Sequence, residues 1–265
     1  MSKPLRMGDA PLPSCGIAVM AKASIPGRTK TRLVPPLTFE EAAAFNTAFL
    51  QDVAANILTA ASRMNISGYM AFGPPESAAF FKAILPPDIR LVESWLPNFG
   101  DCLLNAITRL FALGHEAAVV LNADSPTLPT SLLVETASIL ARPGDRAVIG
   151  PSTDGGYYLL GLKATHRRLF ADIDWSTERV ARQTMERARE IGLPLHILPA
   201  WYDVDELEAL RLLQAELCEG RSFAADLQSH QAPRTAELMR ALLAGTDLAA
   251  RLAIAPARSI EKVGG

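Results

Sequence analysis

The sequence predicts an α/β fold: a mostly parallel sheet with helices on both faces, followed by a C-terminal helical extension. Three observations predict it. Apolar runs of strand length alternate with segments of helix length as far as Gly220. The runs at 16–21 and 117–121 are apolar throughout, which suits buried strands. Polar clusters rich in Gly, Pro or Asp follow several strands, at the place where open parallel sheets bind ligands.

Each element has a local reason. Residues 1–13 are Pro-rich and polar and read as a flexible arm. Residues 16–21 form the first strand. Thr38 opens a helix to about residue 61, because Glu41 three positions on completes a capping box. Residues 66–72 read as the second strand. Pro74-Pro75 starts a helix toward residue 84, and 90–93 is a short third strand. Apolar residues at helical spacing cover 100–113. A compact strand covers 117–121, and Pro129 starts the following helix. Strands at 147–150 and 157–162 flank a Gly-rich turn. Thr177 caps a helix to about residue 191, 195–198 is the last strand, and Asp205 begins a helix ending near Gly220. Beyond it the strand signals stop. Residues 221–256 read as short helices rich in Ala and Leu, and 260–265 as a frayed end. The expected organisation is a flexible arm at 1–13, a mostly parallel α/β domain at 14–220 and a helical extension at 221–265.

Composition narrows the functional classes. A chain of 265 residues can bury a full core, and 49% hydrophobic with 20% charged residues is ordinary for a soluble globular protein. The net charge of -2 offers no general attraction to nucleic acid or an anionic membrane, so neither is expected as a partner. Phosphate binding must then be local. Cys15, Cys102 and Cys218 have no zinc-site or disulfide spacing, which points to the reducing cytoplasm. No targeting or membrane-spanning segment is visible.

Four clusters fall just after strands. The first, after strand one, runs from Lys22 through Pro26, Gly27, Arg28, Lys30 and Arg32. A Pro/Gly loop with four cations can hold a polyanion, with Gly27 allowing close backbone approach, or can be a solvated basic turn. If the loop is extended, Lys30 and Arg32 point the same way. The second is Asn122-Ala123-Asp124-Ser125-Pro126, where Asp124 could share a divalent cation with substrate phosphates or make an Asx-turn. The third is Asp154-Gly155-Gly156, a hairpin turn whose amides could also cradle an anion or a sugar. The fourth is Asp203-Val204-Asp205; two carboxylates at i and i+2 of an extended stretch face one side, or Asp205 caps the next helix. In addition, Trp175-Ser176-Thr177 precedes a helix whose N-terminus would attract anions, with Trp175 able to stack on a base or sugar or to pack in the core. No P-loop, GxGxxG, GxSxG or HExxH motif occurs.

Together these motifs resemble the bacterial proteins labelled radical-SAM/selenium-domain-associated transferase 1, of the nucleotide-diphospho-sugar transferase superfamily, and are similar to those of the phospholactate guanylyltransferases. The motifs are Lys22…Pro26-Gly27…Lys30-Thr31-Arg32-Leu33, Asp124-Ser125-Pro126, Gly150-Pro151…Asp154-Gly155-Gly156-Tyr157-Tyr158, Trp175-Ser176-Thr177 and Asp203-Val204-Asp205. The resemblance implies a GT-A-like, Rossmann-like fold. It places Lys30 and Arg32 against donor phosphates and makes Asp124 a metal ligand. The chain departs from the pattern at Asn122-Ala123, where many relatives carry a small polar residue and Gly, and at Glu206, where many carry Thr.

The expected activity is Mg²⁺- or Mn²⁺-dependent nucleotidyl transfer from a nucleoside triphosphate to a phosphate or alcohol acceptor, releasing pyrophosphate. Lys30, Arg32, Asp124 and Asp154 would carry the chemistry, and Lys22, Pro26, Gly27 and Arg28 would join the phosphate site. Asp124, Asp203 and Asp205 would hold the metal. Asp154, Gly155, Gly156, Trp175, Ser176 and Thr177 would form the acceptor side. Glycosyl transfer from a nucleotide-sugar, with Asp154 as base, is the alternative. Nucleotide binding without turnover is a third reading. The oligomeric state is left open, a homodimer being one option.

Overall fold

A computed structural model describes residues 14–254. The arm at 1–13 and the end at 260–265 lie outside the described residues. Seven strands form one sheet: β1 Cys15–Ala21, β2 Ile66–Phe72, β3 Arg90–Glu93, β4 Ala117–Leu121, β5 Ala147–Pro151, β6 Tyr157–Leu162 and β7 Leu195–Ile197, in the order β3-β2-β1-β4-β6-β5-β7. Every pairing is parallel except those of β6, which runs antiparallel to both β4 and β5. The short β5–β6 connection forces that reversal, because two strands joined by a tight turn can only pair antiparallel.

The core has two layers. β1 and β4 are central and buried along almost their whole length. Cys15, Ile17 and Val19 face one cluster, and Ala18 faces the other, following the period of two. The first layer is covered by α1 Phe39–Ala61 and α4 Thr130–Leu140, joined by α6 Leu207–Glu219, α7 Pro233–Gly245 and α8 Leu248–Ile254. The second is covered by α3 Phe99–Ala112 and α5 Val180–Glu190. The short α2 Ala78–Ile84 follows a 3₁₀ turn at Pro75–Ser77.

The capping box of α1 is present: Thr38 accepts from the Glu41 amide and the Glu41 carboxylate accepts from the Thr38 amide. Three expected helix starts shift. α5 begins at Val180 rather than Thr177, because the Thr177 hydroxyl donates to the Asp174 carbonyl and accepts from the Arg179 amide in a preceding turn. α6 begins at Leu207, because the Asp205 carboxylate that would cap it is held elsewhere, by Lys30. Residues 221–232 carry no helix; the helices of the C-terminal segment are α7 and α8. α7 is seated on α1 by Asp52, a fully buried carboxylate that accepts from the amides of Arg234 (3.0 Å) and Thr235 (2.8 Å) and from the Thr235 hydroxyl (2.6 Å). A carboxylate at a helix N-terminus satisfies orphan amides and meets the positive end of the dipole. No helix among the described residues is long and apolar enough to cross a membrane.

Candidate active site

A cavity of about 1220 Å³ opens above the C-terminal ends of β1 and β4. All four polar clusters reach it.

The basic loop is not extended. Lys30 takes a left-handed conformation (φ 53°), and Thr31–Leu33 is a 3₁₀ turn. Lys30 and Arg32 therefore diverge. The Lys30 side chain turns inward and is 4% exposed, whereas Arg32 is 63% exposed and reaches Glu206 at 3.6 Å. Thr29 ties the preceding turn, accepting from the Ile25 amide (2.8 Å) and donating to the Ile25 carbonyl (2.9 Å). Buried Asn46 on α1 fastens the loop's start, donating to the Lys22 carbonyl (3.2 Å) and Ser24 Oγ (2.8 Å). Lys22, Arg28, Lys30 and Arg32 line the cavity, while Pro26 and Gly27 are exposed outside its wall. Gly27 instead supplies a positive φ (75°) to the turn.

Lys30 Nζ lies 2.5 Å from Asp124 and 2.7 Å from Asp205, and donates to the Val204 carbonyl at 3.0 Å. Phe49 of α1 lies beneath it, 5.3 Å from ring centroid to Nζ. The two carboxylates meet because their loops are stitched together. The Val204 amide donates to the Asp124 carbonyl (2.8 Å), and Ser125 Oγ donates to the Tyr202 carbonyl (2.9 Å). Burial pushes the Lys30 ammonium down, but Asp124 and Asp205 together hold it above its ordinary value. Burial, reinforced by the charge of Asp205, outweighs Lys30 at Asp124 and raises it. At Asp205 the attraction of Lys30 and Arg32 exceeds the cost of burial and lowers it.

Asp203 also lines the cavity. Burial first, then the charges of Asp154, Asp205 and Asp124, push it up to about 7. It is the carboxylate in this group that Lys30 does not hold.

The third cluster is the β5–β6 turn. Asp154 accepts from the Gly156 amide (2.8 Å) in an Asx-turn. Gly155 has φ 91°, and a Cβ there would collide with the Glu178 carbonyl. The Ala181 amide donates back to the Gly155 carbonyl at 2.9 Å. Asp154, Gly156, Trp175, Ser176 and Thr177 line the cavity; Gly155 lies behind the wall and fixes it. Trp175 both packs and faces the cavity. It leans on the second core layer and meets Phe99 edge-on at 5.6 Å.

Sequence reasoning missed Asn46, Tyr157, Phe223 and the α6 residues Ala209 and Leu212, all of which line the cavity. Tyr157 stands in the quoted Gly-Gly-Tyr-Tyr motif, so a signal was present. Phe223 belongs to the segment after Gly220 and meets Trp201 edge-on (5.0 Å) and Tyr202 at a tilt (5.1 Å); nothing local marks it.

Among the described residues, no group of three or more His, Cys, Asp or Glu side chains is arranged as a metal site. The donor set still suits one kind of ion. Mg²⁺ is commonly held by one or two carboxylates together with substrate phosphates rather than by a full protein cage. A raised carboxylate beside Asp124, with no cation of its own, fits that mode.

The architecture is that of the nucleotide-diphospho-sugar transferases, the GT-A-like arrangement. The chain is similar to a candidate nucleotide-diphospho-sugar transferase from Desulfovibrio desulfuricans G20, with 26% identity over 85% of this chain and 96% of that one and a TM-score of 0.71. It also shares the fold of CMP:2-keto-3-deoxy-manno-octonic acid synthetase complexed with CTP, at 12% identity over 78% of this chain and 100% of that one, TM-score 0.50. A family model described as "Uncharacterized protein conserved in bacteria (DUF2064)" matches residues 56–177. No curated protein matches the chain.

Proposed function

We propose that the protein is a Mg²⁺-dependent transferase using a nucleotide donor, and specifically a nucleotidyltransferase. The observation that carries this reading is Lys30 held between Asp124 and Asp205 in a cavity whose cations all come from one loop. The fold shared with the Desulfovibrio protein supports the nucleotide-using class.

On this reading Lys22, Arg28, Lys30 and Arg32 bind the triphosphate. Asp124 and Asp203 would hold Mg²⁺, with Asp205 keeping Lys30 in place beside them. When bound, the ion neutralises charge on the donor phosphates. The acceptor oxygen attacks the α-phosphorus in line, the bond to the bridging oxygen breaks and pyrophosphate leaves. Asp154 takes the acceptor's proton. Lys30 and Arg32 stabilise the charge on the transferred and leaving groups, so the protein contributes positioning and electrostatics rather than a nucleophile. Within the superfamily this is the chemistry of the phospholactate guanylyltransferases that the motifs resemble.

The description of the Desulfovibrio protein favours a second reading, glycosyl transfer from a nucleotide-sugar. Product analysis separates them. A thermal-shift screen of nucleoside triphosphates with and without Mg²⁺ finds the donor, because a ligand bound by the folded state raises the melting temperature. Released pyrophosphate then supports nucleotidyl transfer. Release of a nucleoside diphosphate from a nucleotide-sugar supports the second reading, and no shift with any nucleotide overturns both.

A further inference from the structure

A lysine ammonium has three protons to donate. At Lys30 all three are taken. Nζ lies 2.5 Å from Asp124 Oδ1, 2.7 Å from Asp205 Oδ1 and 3.0 Å from the Val204 carbonyl. The Phe49 ring closes the side below, its centroid 5.3 Å from Nζ. Lys30 lines the cavity, yet this arrangement leaves it no proton for a phosphate there. To touch one it must release an acceptor.

The three acceptors are not equivalent. Val204 and Asp205 are neighbours in the loop between β7 and α6, and together they make two of the three bonds. Asp124 comes from the loop after β4 and makes the third. Its side chain is 30% exposed, and it lines the cavity together with Asp203. A dication on either oxygen of the Asp124 carboxylate would stand a few ångströms (roughly 4–5) from the buried ammonium, where like charges repel strongly because little water screens them. Lys30 and a dication therefore compete for Asp124.

The geometry points to an exchange: Lys30 yields Asp124 to a divalent cation, stays anchored on Asp205 and the Val204 carbonyl, and turns the freed N–H toward a donor phosphate. Lys30 thereby couples the two ligands. Each favours the other, because both need the Lys30–Asp124 bond open, and such coupling is reciprocal. The inference rests on the proposed reading of Asp124 as an ion ligand.

Mn²⁺ without nucleotide is the probe, with binding followed by electron paramagnetic resonance. Lys30→Met removes the competing charge and keeps an unbranched stem. It is expected to bind Mn²⁺ about tenfold or more tightly than wild type, the low end of what close charge pairs contribute. In protein carrying Asp124→Asn the same substitution is expected to gain less than about threefold, since only a screened general charge effect is left. Equal Mn²⁺ binding by Lys30→Met and wild type overturns the exchange. Equal gains with and without Asp124→Asn also overturn it, because net charge alone would then account for them.

A second measurement needs no variant. Acetic anhydride labels lysines of the wild-type protein, and mass spectrometry compares Lys30 with the exposed Lys82. Mn²⁺ is expected to speed the labelling of Lys30 relative to Lys82 by about threefold or more, the worth of one released hydrogen bond. Unchanged or slower labelling overturns the exchange. The thermal-shift screen of triphosphates separates this inference from the donor reading. Mn²⁺ results as expected with no shift by any triphosphate sink the donor site and leave the cation exchange standing. A Mg²⁺-dependent triphosphate shift with no gain in Lys30→Met does the reverse.

Discussion

Lys30 and Asp205, 175 positions apart in the chain, meet at 2.7 Å, with Asp124, from the loop after β4, completing the group. The cation is buried while the two carboxylates remain 30% and 38% exposed toward the cavity. Removing the ammonium leaves three neighbouring carboxylates, with Asp203, facing one another. Lys30→Met is therefore expected to lose about 3 kcal/mol of stability, the scale for breaking a buried pair by removing one partner. The loss should shrink on acidification, because protonating the carboxylates relieves it. Denaturant melts at two pH values check both statements, and a variant equally stable at both would refute the electrostatic account.

Asp124→Asn keeps the shape of the side chain and its neighbours. The protein is expected to fold, with transfer slowed by about 10²–10³-fold, the usual cost of one preorganised electrostatic contact. The Mg²⁺-dependent part of the nucleotide thermal shift should fall with it. A variant with wild-type turnover would remove Asp124 from the site.

The extent to which this site was legible follows from where each feature's cause lies. The Thr38–Glu41 capping box is decided within four residues, and the strand runs by burial of the central sheet, so both could be read directly. The rule that ligands sit beyond the carboxyl ends of parallel strands was enough to gather Lys30, Asp124 and Asp203-Val204-Asp205. What escaped were features set by distant partners. The left-handed backbone at Lys30 follows from its ties to Val204 and Asp205, and the late start of α6 from the same bond. The cap of α7 comes from Asp52, 183 positions before Thr235. Phe223 enters the cavity only because the chain after Gly220 folds back onto Trp201 and Tyr202.

Asp203 makes a pH signature. Its carboxyl is held near 7 in the folded protein against about 3.9 in an unfolded chain. Between those values the folded state binds more protons, so this group's contribution to stability falls as pH rises from about 4 to 7. His115 and His230, both lowered by burial, act the opposite way near their ordinary value. The difference between wild type and Asp203→Asn isolates the carboxylate. The variant's advantage in melting temperature should grow from about pH 4 to 7 and then level off. Added Mg²⁺ should narrow it by stabilising the wild type alone. A pH-independent difference would contradict the burial and repulsion at Asp203.

Gly155 tests how tightly the acceptor turn is fixed. Its φ of 91° is strained for any residue with a Cβ, and the added carbon would strike the Glu178 carbonyl. The turn and residues 177–181 are tied together by the bond from the Ala181 amide to the Gly155 carbonyl, so neither can yield alone. Gly155→Ala is expected to cost about 1–3 kcal/mol from backbone strain, with the collision adding to it. Because Asp154 and Trp175 flank this junction, the acceptor side should suffer more than the donor side: triphosphate binding by thermal shift stays near wild type while turnover drops. Gly156→Ala is the control, since its Cβ would meet only the Asp154 carboxylate at 3.1 Å. Equal losses in the two variants would show that the turn is not locked by the segment beneath it.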